Sequence, residues 1–472
     1  MTADSRRNLS LEEMDRQSVI HPFTDLKHYA NGDLGDPRIV ETGEGVRITD
    51  RKGRTYIDGF AGLYCVNIGY GRTAVADAIY EQAKKLAYYH AYAMHSNEPA
   101  IRLSERLLEM APNNMQRIYY GMSGSDANET QAKLVYYYNN VLGRPQKKKI
   151  IARHRGYHGA SMASGSMTGL PVYHKAFDQP VAGILHTTAP HHYWQAEAGA
   201  SERDFARQCA ADLDALIQAE GPETVAAFIG EPVLGTGGII PPPEGYWEEI
   251  QKVLAKHDVL LIADEVVCGF GRIGADFGSQ VYGMQPDLIT VAKGLTSGYV
   301  PLSGAMVGER VWRVLEQGSD EFGPFSHGYT YSAHPVGAAA ALANLDIVQG
   351  EDLAGNARET GAYLQERLRE TLAGHPIVGE VRGVGLLAAL EFVADKESKT
   401  RFAAELKVGP RIAGAALGLG LIARALPHGD ILGFAPPLVI NKAEVDEVVD
   451  ITRQAVEQVT DELTREGKLR AA

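Results

Sequence analysis

The sequence predicts an α/β fold: a mainly parallel sheet covered on both faces by helices, with a second, smaller α/β domain beside it. Three observations predict it. Short apolar runs recur with turn or polar residues at their ends, as buried parallel strands require. Helical patterns lie between several of these runs. The last third changes character, to an Ala-rich helix followed by amphipathic helices and short strands.

Taken in order, the first sixty residues hold strand-like pieces at 45–49 and 55–58, with turns between them. They are expected to pack with the C-terminal part. Four apolar runs at 149–152, 225–229, 259–263 and 288–292 read as inner strands. Residues 247–256 read as a helix with Ile250, Val253 and Leu254 on one face. Helical patterns follow at 335–348 and 362–372, then strands around 385–392. The domain plan is 1–65 with 336–472 as the smaller domain and 66–335 as the larger one. The 51 glycines fall between apolar segments rather than in one tract, so no low-complexity linker or fixed-period repeat is read.

Composition narrows the function classes. At 45% hydrophobic and 22% charged residues, the chain can bury a large core, which excludes disorder as its main state. Its 46 basic and 59 acidic residues give a net charge of −13, so neither nucleic acid nor an anionic membrane is expected as a partner. Cys65, Cys209 and Cys268 are too far apart for a CxxC pair, and a disulfide framework or zinc site is not expected. The first twenty residues lack the apolar core of a signal peptide, and no run approaches the roughly 18 apolar residues of a membrane helix. A cytoplasmic location is the expectation.

Four pieces carry chemistry. Lys293 follows the run 288–292 and precedes Gly294. In a parallel sheet, ligands sit at the carboxyl ends of strands. An amine desolvated there loses its proton more easily and forms a Schiff base with an aldehyde. Taken alone, Lys293 reads better as a side chain snorkelling into water. Asp264 shifts that balance, because it ends the neighbouring run and faces the same crevice. Such a carboxylate caps a turn, pairs with an arginine, or keeps a heterocyclic nitrogen protonated, as pyridoxal phosphate requires. The stretch Ser123-Gly124-Ser125-Asp126 opens a helical pattern at 127–138, where free N–H groups suit a phosphate. Ser125 is read as the helix cap and a phosphate ligand, with Asp126 turned away; alone, the stretch is an ordinary cap. Finally, glycines flank Tyr157-His158, so Tyr157 either stacks on a flat ring or is a core aromatic in a turn.

Three patterns are set aside. Gly269 to Gly274 spells GxGxxG but lies five residues beyond its strand, unlike a dinucleotide fingerprint. His154 and His158 lack the HExxH context of a zinc protease, so no metal is expected. Lys147, Lys148 and Lys149 read as a solvated loop entering a strand.

In this order, the pieces resemble the class III pyridoxal-phosphate aminotransferases, or omega-aminotransferases, of fold type I. The resemblance runs from His21-Pro22-Phe23-Thr24 to Phe434-Ala435-Pro436-Pro437. Its specific core is Ile262-Ala263-Asp264-Glu265-Val266, then Gly269-Phe270-Gly271-Arg272, then Ala292-Lys293-Gly294-Leu295. It implies a seven-stranded, mostly parallel sheet and pyridoxal 5′-phosphate as cofactor. It implies that Lys293 bears the cofactor as a Schiff base and moves the substrate proton, and that Asp264 pairs with the pyridine nitrogen. Val266 and Tyr157 sandwich the ring, and Gly124 and Ser125 bind the phosphate. Ser123, His158, Glu231 and Tyr329 join the cofactor site, and Thr330 reaches the phosphate of the neighbouring subunit, so a homodimer with shared sites is implied.

The segment 61–67 resembles the amine:pyruvate branch, with Tyr64 where that branch usually has Trp. Leu63, Tyr64 and Thr236 are then pocket residues, with Phe23 and Tyr92 supplied by the partner subunit. Arg424 is the carboxylate-binding arginine. The implied reaction moves an amino group from a primary amine or omega-amino acid to pyruvate. The alternative is a diamine or 4-aminobutyrate aminotransferase using 2-oxoglutarate.

Overall fold

The computed structural model describes residues 9–469 except residue 113. Its centre is a seven-stranded sheet of β1 (Met115–Gly121), β2 (Lys149–Arg153), β3 (Ile184–Thr187), β4 (Val225–Gly230), β5 (Leu260–Asp264), β6 (Leu288–Val291) and β7 (Ser303–Gly308). The order is β1-β7-β6-β5-β4-β2-β3. All strands run one way except β7, which is antiparallel to both of its neighbours. Every residue of β4, β5 and β6 is buried, which is why these strands read as unbroken apolar runs.

The reversed strand β7 leaves no such trace in the sequence. It reads Ser-Gly-Ala-Met-Val-Gly, with small residues where a strand pattern expects branched ones. The structure supplies the reason. A Cβ on Gly304 would stand 2.6 Å from Ile118 and 3.1 Å from Val291, so the neighbouring strands fill its place.

Two smaller four-stranded sheets flank the large one. In the first, Val40–Glu44, Arg47–Asp50 and Thr55–Asp58 form a meander, and Thr55–Asp58 pairs in parallel with Leu421–Ile422. The strand at 55–58 thus does pack with the C-terminal part. In the second, the hairpin of Val378–Val384 and Leu387–Phe392 continues into Ile431–Phe434 and Arg424–Ala425. Helices Leu353–Leu372 and Lys442–Arg465 cover these strands with an apolar layer that includes Leu364, Leu368, Val448 and Val456.

Three readings need correction. The helix expected over 362–372 begins nine residues earlier, at Leu353, where the Asp352 side chain accepts the N–H of Gly355. Gly355 and Gly361 look like breakers in the sequence, yet a Cβ on Gly361 would meet the Gly385 carbonyl oxygen at 2.1 Å. The glycine lets helix and hairpin touch. The lysine run is not solvated throughout. Lys147 is 6% exposed and donates to the carbonyls of Pro222 and His257, while Lys149 pairs with Glu220 at 2.7 Å. Lastly, the strand before Lys293 ends at Val291, and Lys293 opens a short 3-10 turn, Lys293–Leu295.

The glycine contact gives a paired expectation. Gly361→Ala forces backbone apart and should cost about 1–3 kcal/mol. Gly414→Ala, exposed inside helix Val408–Gly418 with nothing within 4 Å of the new Cβ, should stabilise by about 0.5–1 kcal/mol. Unfolding midpoints of the two variants should move in opposite directions.

Candidate active site

Because β2, β4, β5 and β6 run parallel, their carboxyl ends share one edge of the sheet. The segments that leave this edge carry Tyr157 and His158, Glu231, Asp264 and Lys293. The helix α1 (Gly124–Val141), which follows β1, begins at the same edge. There the structure forms a narrow slot of about 80 Å³ lined by Gly124, Ser125, Asn128, Tyr157, His158, Glu231, Asp264, Val266 and Lys293, among others.

Asp264 sits at the inner end of the slot, 2% exposed. Its Oδ2 accepts from Asn128 Nδ2 and His158 Nδ1, each at 2.8 Å, and its Oδ1 accepts the N–H of Val266 at 3.1 Å. Asn128 is itself fixed by donating to the His158 carbonyl and by accepting from Thr290 Oγ1. Thr290 lies opposite Asp264 in the β5–β6 register, so these bonds close a ring. Asn128 and Thr290 escaped the sequence reading. The available signal was a buried polar residue one helical turn into α1.

At the other end, Ser123 caps α1: its backbone is extended and its Oγ accepts the N–H of Asp126. This corrects the expectation that Ser125 is the cap. Ser125 lies in the first turn instead, and its Oγ accepts the N–H of Ala160. Asp126 does turn away, folding back to accept from the N–H groups of Met122 and Ser123 and from Ser303 Oγ. That leaves Gly124 and Ser125 in a first turn whose N–H groups have no acceptors within the helix. A Cβ on Gly124 would lie 3.0 Å from Val266, so only glycine brings this helix end against the slot.

Tyr157 and Val266 both line the slot. The N–H of Tyr157 is held by Glu231 Oε1 at 3.0 Å, and Glu231 Oε2 accepts from the N–H of Gly235. Complete burial pushes the Glu231 carboxyl above the usual carboxylate range. Lys293 is half-buried with φ at +45°, a left-handed conformation costing about 1–2 kcal/mol. Asn344 pins the turn by donating to the carbonyls of Gly294 and Leu295. The slot therefore fits a flat cofactor with a phosphate at one end and a ring nitrogen at the other. Gly124 and Ser125 would meet the phosphate, Asp264 the nitrogen, and Lys293 the aldehyde carbon.

The slot shares Gly124, Tyr157 and Lys293 with a larger cleft of about 570 Å³. Leu63, Tyr64, Cys65, Thr236 and Arg424 line this cleft, together with Phe23 and Tyr173. Leu63 and Tyr64 belong to a left-handed turn, Ala61–Tyr64, in which four successive residues have positive φ. Asp58 holds it, its two oxygens accepting the N–H groups of Phe60 and Gly62 and the hydroxyl of Tyr70.

Phe23 corrects an expectation. It lines the cleft of its own chain, packed on Tyr173 at 4.8 Å between ring centres. Tyr92, Tyr329 and Thr330 do not line the cleft of their own chain. Thr330 is exposed, and its carbonyl accepts the hydroxyl of Tyr88. The hydroxyl of Tyr329 donates to the Asp126 carbonyl on α1. His154 and His158 diverge: His158 holds Asp264, while His154 stacks on His186 at 5.6 Å. The GxGxxG loop is a brace, with the buried Arg272 bonding Asn67 and the Pro436 carbonyl.

The family model "Aminotransferase class-III" matches residues 29–456. The chain is 62% identical to the diaminobutyrate–2-oxoglutarate transaminase of Halomonas elongata over 98% of this chain and 99% of the relative. It is 42% identical to the putrescine–pyruvate aminotransferase of Pseudomonas aeruginosa over 95% and 96%. The crystal structure of the Pseudomonas jessenii omega transaminase in complex with PMP superposes with a TM-score of 0.94 at 44% identity, covering 97% of this chain and 99% of that one. The chain belongs to the class III aminotransferases: it has their fold type I architecture and works as an aminotransferase with pyridoxal 5′-phosphate.

Proposed function

We propose that the chain moves the amino group of a primary amine or omega-amino acid to pyruvate, releasing an aldehyde or ketone and forming alanine by a ping-pong route. One observation carries the choice of acceptor. Apart from Lys293, Arg424 is the sole cationic side chain lining the cleft among the described residues. Its guanidinium lies over the Phe60 ring at 5.6 Å and has no carboxylate partner among those residues. A guanidinium left unpaired among apolar walls favours one carboxylate, bound through two parallel hydrogen bonds. Pyruvate has one carboxylate.

A second reading, 2-oxoglutarate as acceptor with a diamine or 4-aminobutyrate as donor, is favoured by the name of the 62% identical Halomonas relative. Against it, the cleft offers no second cation besides Lys293 and Arg424 among the described residues, and its wall is apolar at Phe23, Leu63 and Tyr173.

When bound, pyridoxal phosphate supplies an electron sink that makes the substrate Cα–H acidic. With the cofactor bound, Lys293 Nζ would take the proton from the substrate Cα and return it to the cofactor's aldehyde-derived carbon, two bonds away across the amino nitrogen. Asp264 keeps a proton on the ring nitrogen, and its fixed donors prevent the carboxylate from turning aside. Phe23, Leu63 and Tyr173 give the amine's substituent an apolar wall. In the second half-reaction, Arg424 holds the 2-oxo acid while Lys293 moves the proton back.

The homodimer is part of the same proposal. The segments carrying Tyr92 and Thr330 form an exposed patch with Tyr88, Met94 and Tyr331, apolar surface of the kind a second copy covers. A cytoplasmic location belongs to it too, supported by three unpaired thiols at Cys65, Cys209 and Cys268.

Four outcomes are expected. Lys293→Ala should lower the rate by at least the roughly 10²–10⁴-fold of a general base, read by alanine formation. Asp264→Asn loses a charge-assisted hydrogen bond and should lower kcat about 10–100-fold. Arg424→Ala should raise KM for pyruvate about 10–100-fold for the same reason, with little change in KM for an apolar amine. Equilibrium sedimentation should return twice the chain mass of 51.1 kDa.

A further inference from the structure

We infer that Asn128 is a positioning residue of the reaction: through Asp264 it keeps the proton on the cofactor's ring nitrogen, and Thr290 fixes the amide that does so. The inference rests on the reading of Asp264 given above.

Asn128 lies one turn into helix α1 and is completely buried, as is Thr290 on β6. An amide in such a place destabilises the fold unless its polar atoms are paired. The pairing here also decides which way the amide points. One of its two end atoms stands 2.7 Å from the His158 carbonyl, which can only accept, so that atom is Nδ2. The same Nδ2 gives its second hydrogen to Asp264 Oδ2 at 2.8 Å. Oδ1 therefore faces Thr290, whose hydroxyl donates to it at 2.8 Å. Reversed, the amide would set an oxygen against the His158 carbonyl and the Asp264 carboxylate at once.

The consequence falls on Asp264. An ionised carboxylate offers about four lone-pair sites, two on each oxygen. Oδ2 is filled by Asn128 and His158, and Oδ1 holds the N–H of Val266. The site left over lies on Oδ1, and a protonated ring nitrogen in the slot is the donor that fits it. Each fixed partner donates and none accepts, so the proton between carboxylate and ring stays on the ring. Without Nδ2, Oδ2 regains an open site, which can take that proton or turn toward the ring in place of Oδ1. Thr290 stands opposite Asp264 in the strand register, so the sheet itself places the hydroxyl that holds the amide. The other ionisable groups around Asp264 are Tyr157, Glu231 and Lys293, which line the same slot, and Glu265 and Cys268 in the turn that follows it. Neither Asn128→Ala nor Thr290→Val alters them.

The test compares Asn128→Ala, Thr290→Val, Asp264→Asn and the double variants of the first two with the third, all loaded with pyridoxal phosphate. Three quantities are measured: kcat for one amine and keto acid pair, the cofactor Kd by absorbance titration, and the pH midpoint of the bound cofactor's visible absorbance. Asn128→Ala should lower kcat and raise the cofactor Kd, each about 5- to 20-fold. The pH midpoint should rise by about 0.5 to 1 unit, because a ring with less positive charge no longer opposes the proton on the nitrogen that joins it to Lys293. Thr290→Val, which keeps the branched shape a strand favours, should move all three the same way, by about 2- to 5-fold in kcat and Kd. In the Asp264→Asn background either substitution should add less than about twofold. If Asp264→Asn moves kcat and the midpoint while Asn128→Ala and Thr290→Val leave the midpoint in place, the inference falls and the reading of Asp264 stands. An Asn128→Ala loss that is equally large beside Asp264→Asn means that the amide serves the fold alone, and the inference again falls. If Asp264→Asn changes neither quantity, the reading of Asp264 falls and takes the inference with it. Should Asn128→Ala fail to fold, the midpoint of Thr290→Val and its double variant decide the matter by the same criteria.

Discussion

A carboxylate buried at the tip of a central strand has to be matched by donors, and Asn128, His158 and the N–H of Val266 supply them around Asp264. Each donor comes from a different piece of chain: helix α1, the loop after β2, and the turn after β5 itself. The bonds that keep Asp264 from being an unpaired buried charge therefore also fix where the slot's walls stand. Thr290 ties the set to β6, which ends at Val291, two residues before Lys293. The acid at one position and the amine at the other are held in register by the same hydrogen bonds.

The cleft beyond the slot meets two unlike demands. An aminotransferase cleft must admit an amine donor and then a keto acid, one after the other. Its walls are apolar at Phe23, Leu63 and Tyr173, and its polar groups gather at Arg424, Tyr64 and Thr236. The Arg424 guanidinium has no carboxylate partner among the described residues. The strained backbone at Ala61–Tyr64 belongs to this wall, where residues in rare conformations concentrate.

Much of this was legible in the sequence, and what was not has physical causes. Inner strands β4, β5 and β6 announce themselves because burial on both faces demands unbroken apolar runs. Lys293 and Asp264 stand out because charged groups at the ends of such runs have few other reasons to be there. Strand β7 was hidden because its glycines make room for Ile118 and Val291, a demand set by residues far away in the chain. The early start of helix Leu353–Leu372 was hidden in the same way, by a contact between Gly361 and Gly385. Asn128 was given no role, since its partners Asp264 and Thr290 lie more than a hundred residues away. The side of the cleft that Phe23 serves was likewise fixed by a tertiary contact, its packing on Tyr173.

The central claim is that the amine of Lys293 reaches the aldehyde of the cofactor held by this slot. Borohydride reduction of the holoenzyme followed by peptide mapping tests it most directly. The account predicts one modified peptide, with the reduced pyridoxyl phosphate linked to Lys293. A protein whose label falls on another lysine, or that takes up none, would contradict it.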